Sequence, residues 1–149
     1  MLGIADADSA EHGSDSKNIL ISPVACAVPN RAPGAPKLSG SNAIRIEPGT
    51  FIHSIYHREQ IEEEFFCNYE VNPQYEARFE AAGLMVVARG AQGEVRAVAL
   101  PEHRFFLATL FQPQLSSTSE RPHPVILAYL EAAFVFRKNR VRPRAVSGG

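Results

Sequence analysis

The clearest order in the hydrophobic pattern lies between Asn72 and Leu100. Tyr75, Phe79 and Ala82 recur at i, i+4 and i+7 behind Asn72, a good N-cap, and Pro73, which suits the first helical position. Gly83 supplies a stop, so the spacing predicts a helix over about 73–82. Leu84 to Ala88 and Glu94 to Leu100 are β-rich runs separated by Arg89-Gly90-Ala91-Gln92-Gly93, a spacing that predicts an antiparallel hairpin. Phe105 to Phe111 is a mostly apolar run of strand length and predicts a central strand covered on both faces. After Pro122-His123-Pro124, the residues Ile126, Leu130, Ala133 and Phe134 fall at helical spacing, predicting a helix over 124–136 packed on that sheet.

The first part of the chain is less regular. Residues 1–18 are small, acidic and polar, with no sustained period, and Ile19 to Val28 is strand-like but broken by Pro23. Pro29 to Ser41 reads as a loop. Ala43 to Ile46 predicts a short strand stopped at Pro48-Gly49, Thr50 to Tyr56 one or two helical turns, and Glu62 to Val71 an extended segment carrying Phe65, Phe66, Cys67 and Tyr69.

Composition narrows the class. With 149 residues, 45% hydrophobic and 21% charged, the chain suits one globular domain. No run reaches the ~18–20 apolar residues of a membrane span, and Leu2-Gly3-Ile4 followed by acids is unlike a secretory leader, so a cytoplasmic location is expected. Cys26 and Cys67 are too few for a disulfide framework and are read as reduced thiols. The net charge of −1 conceals a split: Arg137, Lys138, Arg140, Arg142 and Arg144 face no acid in the last thirteen residues. Residues 1–136 are accordingly read as the folded domain and 137–149 as a disordered basic tail. Nucleic-acid binding is not expected, because no aromatic residue is interleaved with those charges and the acidic body repels phosphate.

A search for chemistry returns mostly negatives. There is no Gly-x-Gly-x-x-Gly, no phosphate loop ending in Lys-Ser or Lys-Thr, and no Gly-x-Ser-x-Gly or Gly-x-Cys-x-Gly elbow, so no cofactor is implied. Asp6, Asp8, Glu11 and Asp15 lack the Gly and bidentate Glu of a calcium loop, and no metal site is assigned. Cys26 sits in an apolar setting that suits core packing. Cys67 lies between Phe66 and Asn68 in a run whose alternate residues are aromatic, and is either structural or else ligand-facing or redox-active. His53, His57, His103 and His123 sit in turns or at element ends, where surface or capping roles predominate.

Several strings carry a resemblance that periodicity does not reveal. Leu2-Gly3-Ile4-Ala5-Asp6-Ala7-Asp8-Ser9-Ala10-Glu11, Ile46-Glu47-Pro48-Gly49-Thr50, Tyr69-Glu70-Val71-Asn72-Pro73-Gln74-Tyr75, Glu80-Ala81-Ala82-Gly83-Leu84, Leu100-Pro101-Glu102-His103 and Arg121-Pro122-His123-Pro124 resemble, in order and spacing, the second half of the class I glutamine amidotransferase domain of CTP synthase. Phe66-Cys67-Asn68-Tyr69 and Phe105 to Pro113 are similar to the CTP synthase C-terminal region-related (seleno)proteins. The resemblance implies an α/β class I glutamine amidotransferase-like (flavodoxin-like) sheet, incomplete at its N-terminal side, with a β-hairpin and covering helices.

In that family a cysteine on a strand-to-helix elbow attacks glutamine, a histidine acts as base, and a glutamate two residues on orients it. The family's His-Pro-Glu motif falls on Gln112-Pro113-Gln114, and an amide cannot shuttle a proton at neutral pH. The elbow has no counterpart in this sequence, and the family's Arg-His-Arg before the matching Tyr becomes Phe66-Cys67-Asn68. The expectation is a pseudoenzyme related to pyrimidine nucleotide biosynthesis, with no glutaminase activity of its own and no catalytic residue assigned. Its rewritten cleft would present Cys67, Asn68, Tyr69, Gln112 and Gln114 to a glutamine-like or nucleotide-like small molecule or a partner. The resemblance further implies that Cys67 and Gln112 lie close together at the C-terminal ends of adjacent strands. The alternatives are glutamine hydrolysis when an upstream half is supplied and thiol redox chemistry at Cys67. An incomplete sheet also implies a homo-oligomer or a partner subunit.

Overall fold

Two sheets divide the chain, and they meet at the turn Cys67-Asn68. The computed structural model describes residues 3–13, 15–24 and 38–141; Cys26, most of the Pro/Gly-rich stretch, and Arg142 and Arg144 lie outside them. The smaller sheet has the order β1-β2-β5, with β1 (Ala7–Ser9) parallel to β2 (Asn18–Pro23) and β2 antiparallel to β5 (Tyr69–Val71). The larger is an antiparallel five-stranded sheet in the order β4-β3-β6-β7-β8.

In the larger sheet β3 (Ser39–Ile46) starts earlier than its apolar residues predict, because β4 (Gln60–Phe66) pairs with it from Ser39–Phe66 to Arg45–Gln60. The extended segment expected over 62–71 is therefore two strands of different sheets. β6 (Met85–Gly90) and β7 (Val95–Ala99) form the expected hairpin, with Gly93 at φ +86° in the left-handed region that glycine tolerates. Register shifts along β6 break the regular ladder with β7 and help the sheet to curl.

The helix expected at 73–82 is a short 3-10 turn, Pro73–Tyr75, running into α2 (Glu76–Ala81). Asn72 Oδ1 accepts the Gln74 N–H. At the other end Leu84 N–H donates to Phe79 O and Gly83 N–H to Glu80 O, with Gly83 at φ +80°, a Schellman stop. Phe79 and Leu84 then pack with Val95 and Val98 on one face of the hairpin. On the opposite face the main core gathers Ile44, Ile46, Ile52, Val87, Ala97, Ala99 and Phe111. Ile52 comes from α1 (Phe51–Tyr56), whose first turn is capped by Thr50 Oγ1 accepting the His53 N–H.

Two sequence expectations need correction. Phe105 to Phe111 is not a central strand: only β8 (Leu107–Thr109) is extended, and it is the outermost strand, paired with β7 alone. The apolar run reflects separate packing duties, since Phe111 plugs the core beyond the strand while Phe106 is exposed. The last helix, α3 (Pro124–Val141), runs beyond 136, so residues 137–141 are helical rather than a disordered tail. It packs on α1 instead of covering the sheet, and of the face expected to be buried, Leu130 is 55% and Phe134 67% exposed. Its apolar residues run round the whole helix, so spacing alone did not identify the packed side. No described helix is long and apolar enough to cross a membrane.

Candidate functional site

The region singled out by the sequence is built where β4 ends. Cys67 and Asn68 form the turn between the two sheets, and backbone bonds fix it: Cys67 N–H donates to Leu38 O at 3.0 Å, and Val24 N–H to Asn68 O at 2.9 Å. The Asn68 side chain is already committed, its Oδ1 accepting the Leu38 N–H at 2.7 Å. Cys67 is a free, half-buried thiol whose sulfur accepts the Tyr69 N–H at 3.4 Å. Tyr69 lies in β5 opposite Pro23.

Gln112 reaches the same place from the far end of the sheet. Its backbone N–H donates to Glu64 O at 2.9 Å, and its side-chain Nε2 donates to Phe66 O at 3.4 Å, the carbonyl just before Cys67. The structure thus brings Gln112 beside the segment leading to Cys67, but not on adjacent strands, because β4 and β8 are the opposite outer strands of the sheet. Curling returns the segment after β8 to β4. Gln114 is exposed two residues on, and its side chain makes no hydrogen bond to the described residues. The assembled groups are amides and a thiol, able to donate and accept hydrogen bonds but holding no base that could accept a proton from a nucleophile.

A second polar cluster escaped the sequence reading. Glu63 and His123 are both buried, at 5% and 4% exposure, and Tyr56 joins them. The Tyr56 hydroxyl donates to Glu63 Oε1 at 2.6 Å, and His123 Nε2 lies 3.0 Å from both carboxylate oxygens. His123 Nδ1 accepts the Val125 N–H, which leaves the ring proton on Nε2 to be donated to Glu63. His123 also receives support from Ser117, whose Oγ accepts the His123 N–H. Burial first, then the hydrogen bond to Glu63 and its negative charge, push the Tyr56 hydroxyl far above its ordinary value.

The cluster ties α1, β4 and the start of α3 together, and its donors are spent on the carboxylate. One signal for it was legible: strand alternation puts Glu63 on the same face as Ile61 and Phe65, an apolar face on which a carboxylate requires donors. Among the described residues no group of three His, Cys, Asp or Glu could hold a metal ion.

No family model matches the chain. It is 37% identical over 100 residues to the CTP synthase of Archaeoglobus fulgidus, 66% of this chain and 19% of that protein. It is 35% identical over 140 residues to that of Methanospirillum hungatei, 94% of this chain and 25% of the relative. The chain therefore spans about a quarter or less of the curated relatives it matches. Among solved structures, the glutaminase domain of Trypanosoma brucei CTPS with bound acivicin superposes with a TM-score of 0.81 at 30% identity, over 91% of this chain and 53% of that one. The homologues of this chain are CTP synthases, and its fold is that of the CTP synthase glutaminase, a class I amidotransferase domain.

Proposed function

We propose that this CTP synthase glutaminase-like chain does not hydrolyse glutamine by itself and uses the region around the β4–β5 turn to hold a small amide-bearing or nucleotide-like ligand, or a partner. The observation that carries the reading is the chemistry at Gln112. The position that resembles the family's base is an amide, pinned through its own N–H to Glu64 and through Nε2 to Phe66, and Gln114 stands where the orienting carboxylate would be. Those groups suit recognition by hydrogen bonding rather than proton transfer. A cytoplasmic role beside pyrimidine nucleotide synthesis belongs to the same reading.

The test is ammonia release from glutamine by the purified chain, alongside calorimetric titration with glutamine, glutamate and pyrimidine nucleotides. Binding of one of these without ammonia release supports the reading; turnover above buffer overturns it, and turnover only after an upstream glutaminase segment is supplied favours the hydrolysing alternative. A second reading rests on Cys67, whose sulfur is free, half-buried and held by the Tyr69 N–H. It predicts alkylation of Cys67 faster than that of a free model thiol, and a slower rate removes it.

A further inference from the structure

The least explained feature of the molecule is α3. Its 18 residues span about 27 Å, yet beyond its first turn its main packing partners among the described residues are α1 and the segment before β8, where Phe105 meets Tyr129 and the Arg104 guanidinium lies 3.9 Å from the Phe136 ring centroid. Leu127, Tyr129, Leu130, Phe134 and Val135 are all about half exposed or more. Leu127, Leu130, Phe134 and Val135 share the side away from Phe105 and put on the order of 400 Å² of apolar surface there, the size of the largest patch on a typical monomer. An open groove of about 800 Å³ between α1 and α3 adds Phe51 to the same apolar region.

We propose that this face is a self-association surface, on which a second copy of the chain lays its own α3 antiparallel about a twofold axis passing near Phe134. The inference stands apart from the cleft reading above. Leu127, Leu130 and Phe134 recur at i, i+3 and i+7, the seam along which two helices interdigitate. The charges select the occupant and the direction. Glu131 is the sole acid of α3 and Arg137, Lys138 and Arg140 crowd its last turns, while among the described residues neither Glu131 nor Lys138 makes an ion pair.

Parallel pairing would bring the two basic ends together. Antiparallel pairing with Phe134 on the axis sets Glu131 of each copy beside Lys138 of the other on one flank, and lays the Arg137 stem over Leu130 on the opposite flank. The contact is isologous, so it closes as a dimer and contains the ion pair twice. Phe51, which lines the adjoining groove and is itself exposed, brings the buried area toward the ~800 Å² per partner of a standard interface.

The experiment is sedimentation equilibrium of the full chain up to about 100 μM, a range that captures weak to moderate dimers. The expected result is a dimer that Phe134→Asp weakens at least about fiftyfold. Glu131→Lys and Lys138→Glu should each weaken it about tenfold, and the two together should restore affinity to within about threefold of the unmodified chain. These side chains are exposed, and circular dichroism checks that each variant is folded; the charge swap decides the matter even where Phe134→Asp is unfolded. A chain that remains monomeric, including one whose α3 is covered only when the remaining part of a glutaminase domain is supplied, overturns the proposal. So does a dimer indifferent to Phe134→Asp, or a double variant no tighter than either single one.

Discussion

The backbone N–H of Gln112 donates to the carbonyl oxygen of Glu64 at 2.9 Å, joining the segment after β8 to β4, the opposite outer strand of the five-stranded sheet. That bond closes the curl of the sheet and places the Gln112 side chain beside the carbonyl preceding Cys67. The neighbouring residue Glu63 points the other way along the strand alternation, into the core, where Tyr56 and His123 meet it. Adjacent residues of one strand thus serve the site and the scaffold respectively.

The buried cluster should dominate point-mutant stability. His123→Ala removes a donor to a buried carboxylate and the acceptor for the Val125 N–H, and is expected to cost about 3–5 kcal/mol in urea denaturation at pH 7. Tyr56→Phe leaves the carboxylate one donor short and should cost about 1–3 kcal/mol. A loss under about 0.5 kcal/mol for either, the usual range for surface changes, would mean that the cluster does not tie α1, β4 and α3 together.

The same tyrosine carries a pH signature. Its folded value is raised, so its contribution is complete below the unfolded value of about 10 and declines as pH rises beyond that. Denaturation midpoints should therefore fall more steeply above pH ~10 in the unmodified chain than in Tyr56→Phe. Parallel alkaline curves for the two proteins would contradict the assignment.

Glu94 supplies the acid counterpart. Burial opposes its ionisation, but hydrogen bonds and charge from Arg96, with its own and the Gln92 backbone N–H groups, outweigh burial and hold the carboxyl below its ordinary value. Stability from this pair is present above the unfolded carboxyl value of about 4.3 and is lost as pH falls through the lower folded one. Solvent screening limits it to about 1 kcal/mol. Arg96→Met should flatten the acid limb of the stability curve by that amount, measured between neutral pH and about pH 3; an unchanged limb would refute it.

Legibility in the sequence followed the range of the interactions. Asn72, Pro73 and Gly83 define α2 with its preceding turn through bonds that stay within a few residues, and all three were readable from the chain alone. The hairpin was readable for the same reason, since Gly93 sits inside the turn it shapes. The break at Cys67-Asn68 was not, because it depends on Asn68 Oδ1 holding Leu38, thirty residues earlier. Gln112 entered through resemblance, but its attachment to Glu64 is a tertiary bond that no periodicity announces. The packed side of α3 was misread because helical spacing assumes one apolar stripe, and this helix is apolar on several sides.

The final expectation concerns repair of the cleft. Gln112→His with Gln114→Glu restores the residue types that the resemblance assigns to base and orienter, yet it should leave ammonia release from glutamine indistinguishable from buffer. A base accelerates attack only when a nucleophile lies within hydrogen-bond reach and is aligned with the substrate carbon. The thiol at hand, Cys67, is on the turn after β4, with its sulfur engaged by the Tyr69 N–H. Gln112→His also gives up the Nε2 bond to Phe66 O, a cost of about 0.5–1.5 kcal/mol that should appear in the denaturation midpoint even though catalysis does not. Turnover by the double variant that vanishes on further Cys67→Ser would show that this thiol reaches the substrate after all, and would convert the reading of the cleft from a binding site to a dormant glutaminase.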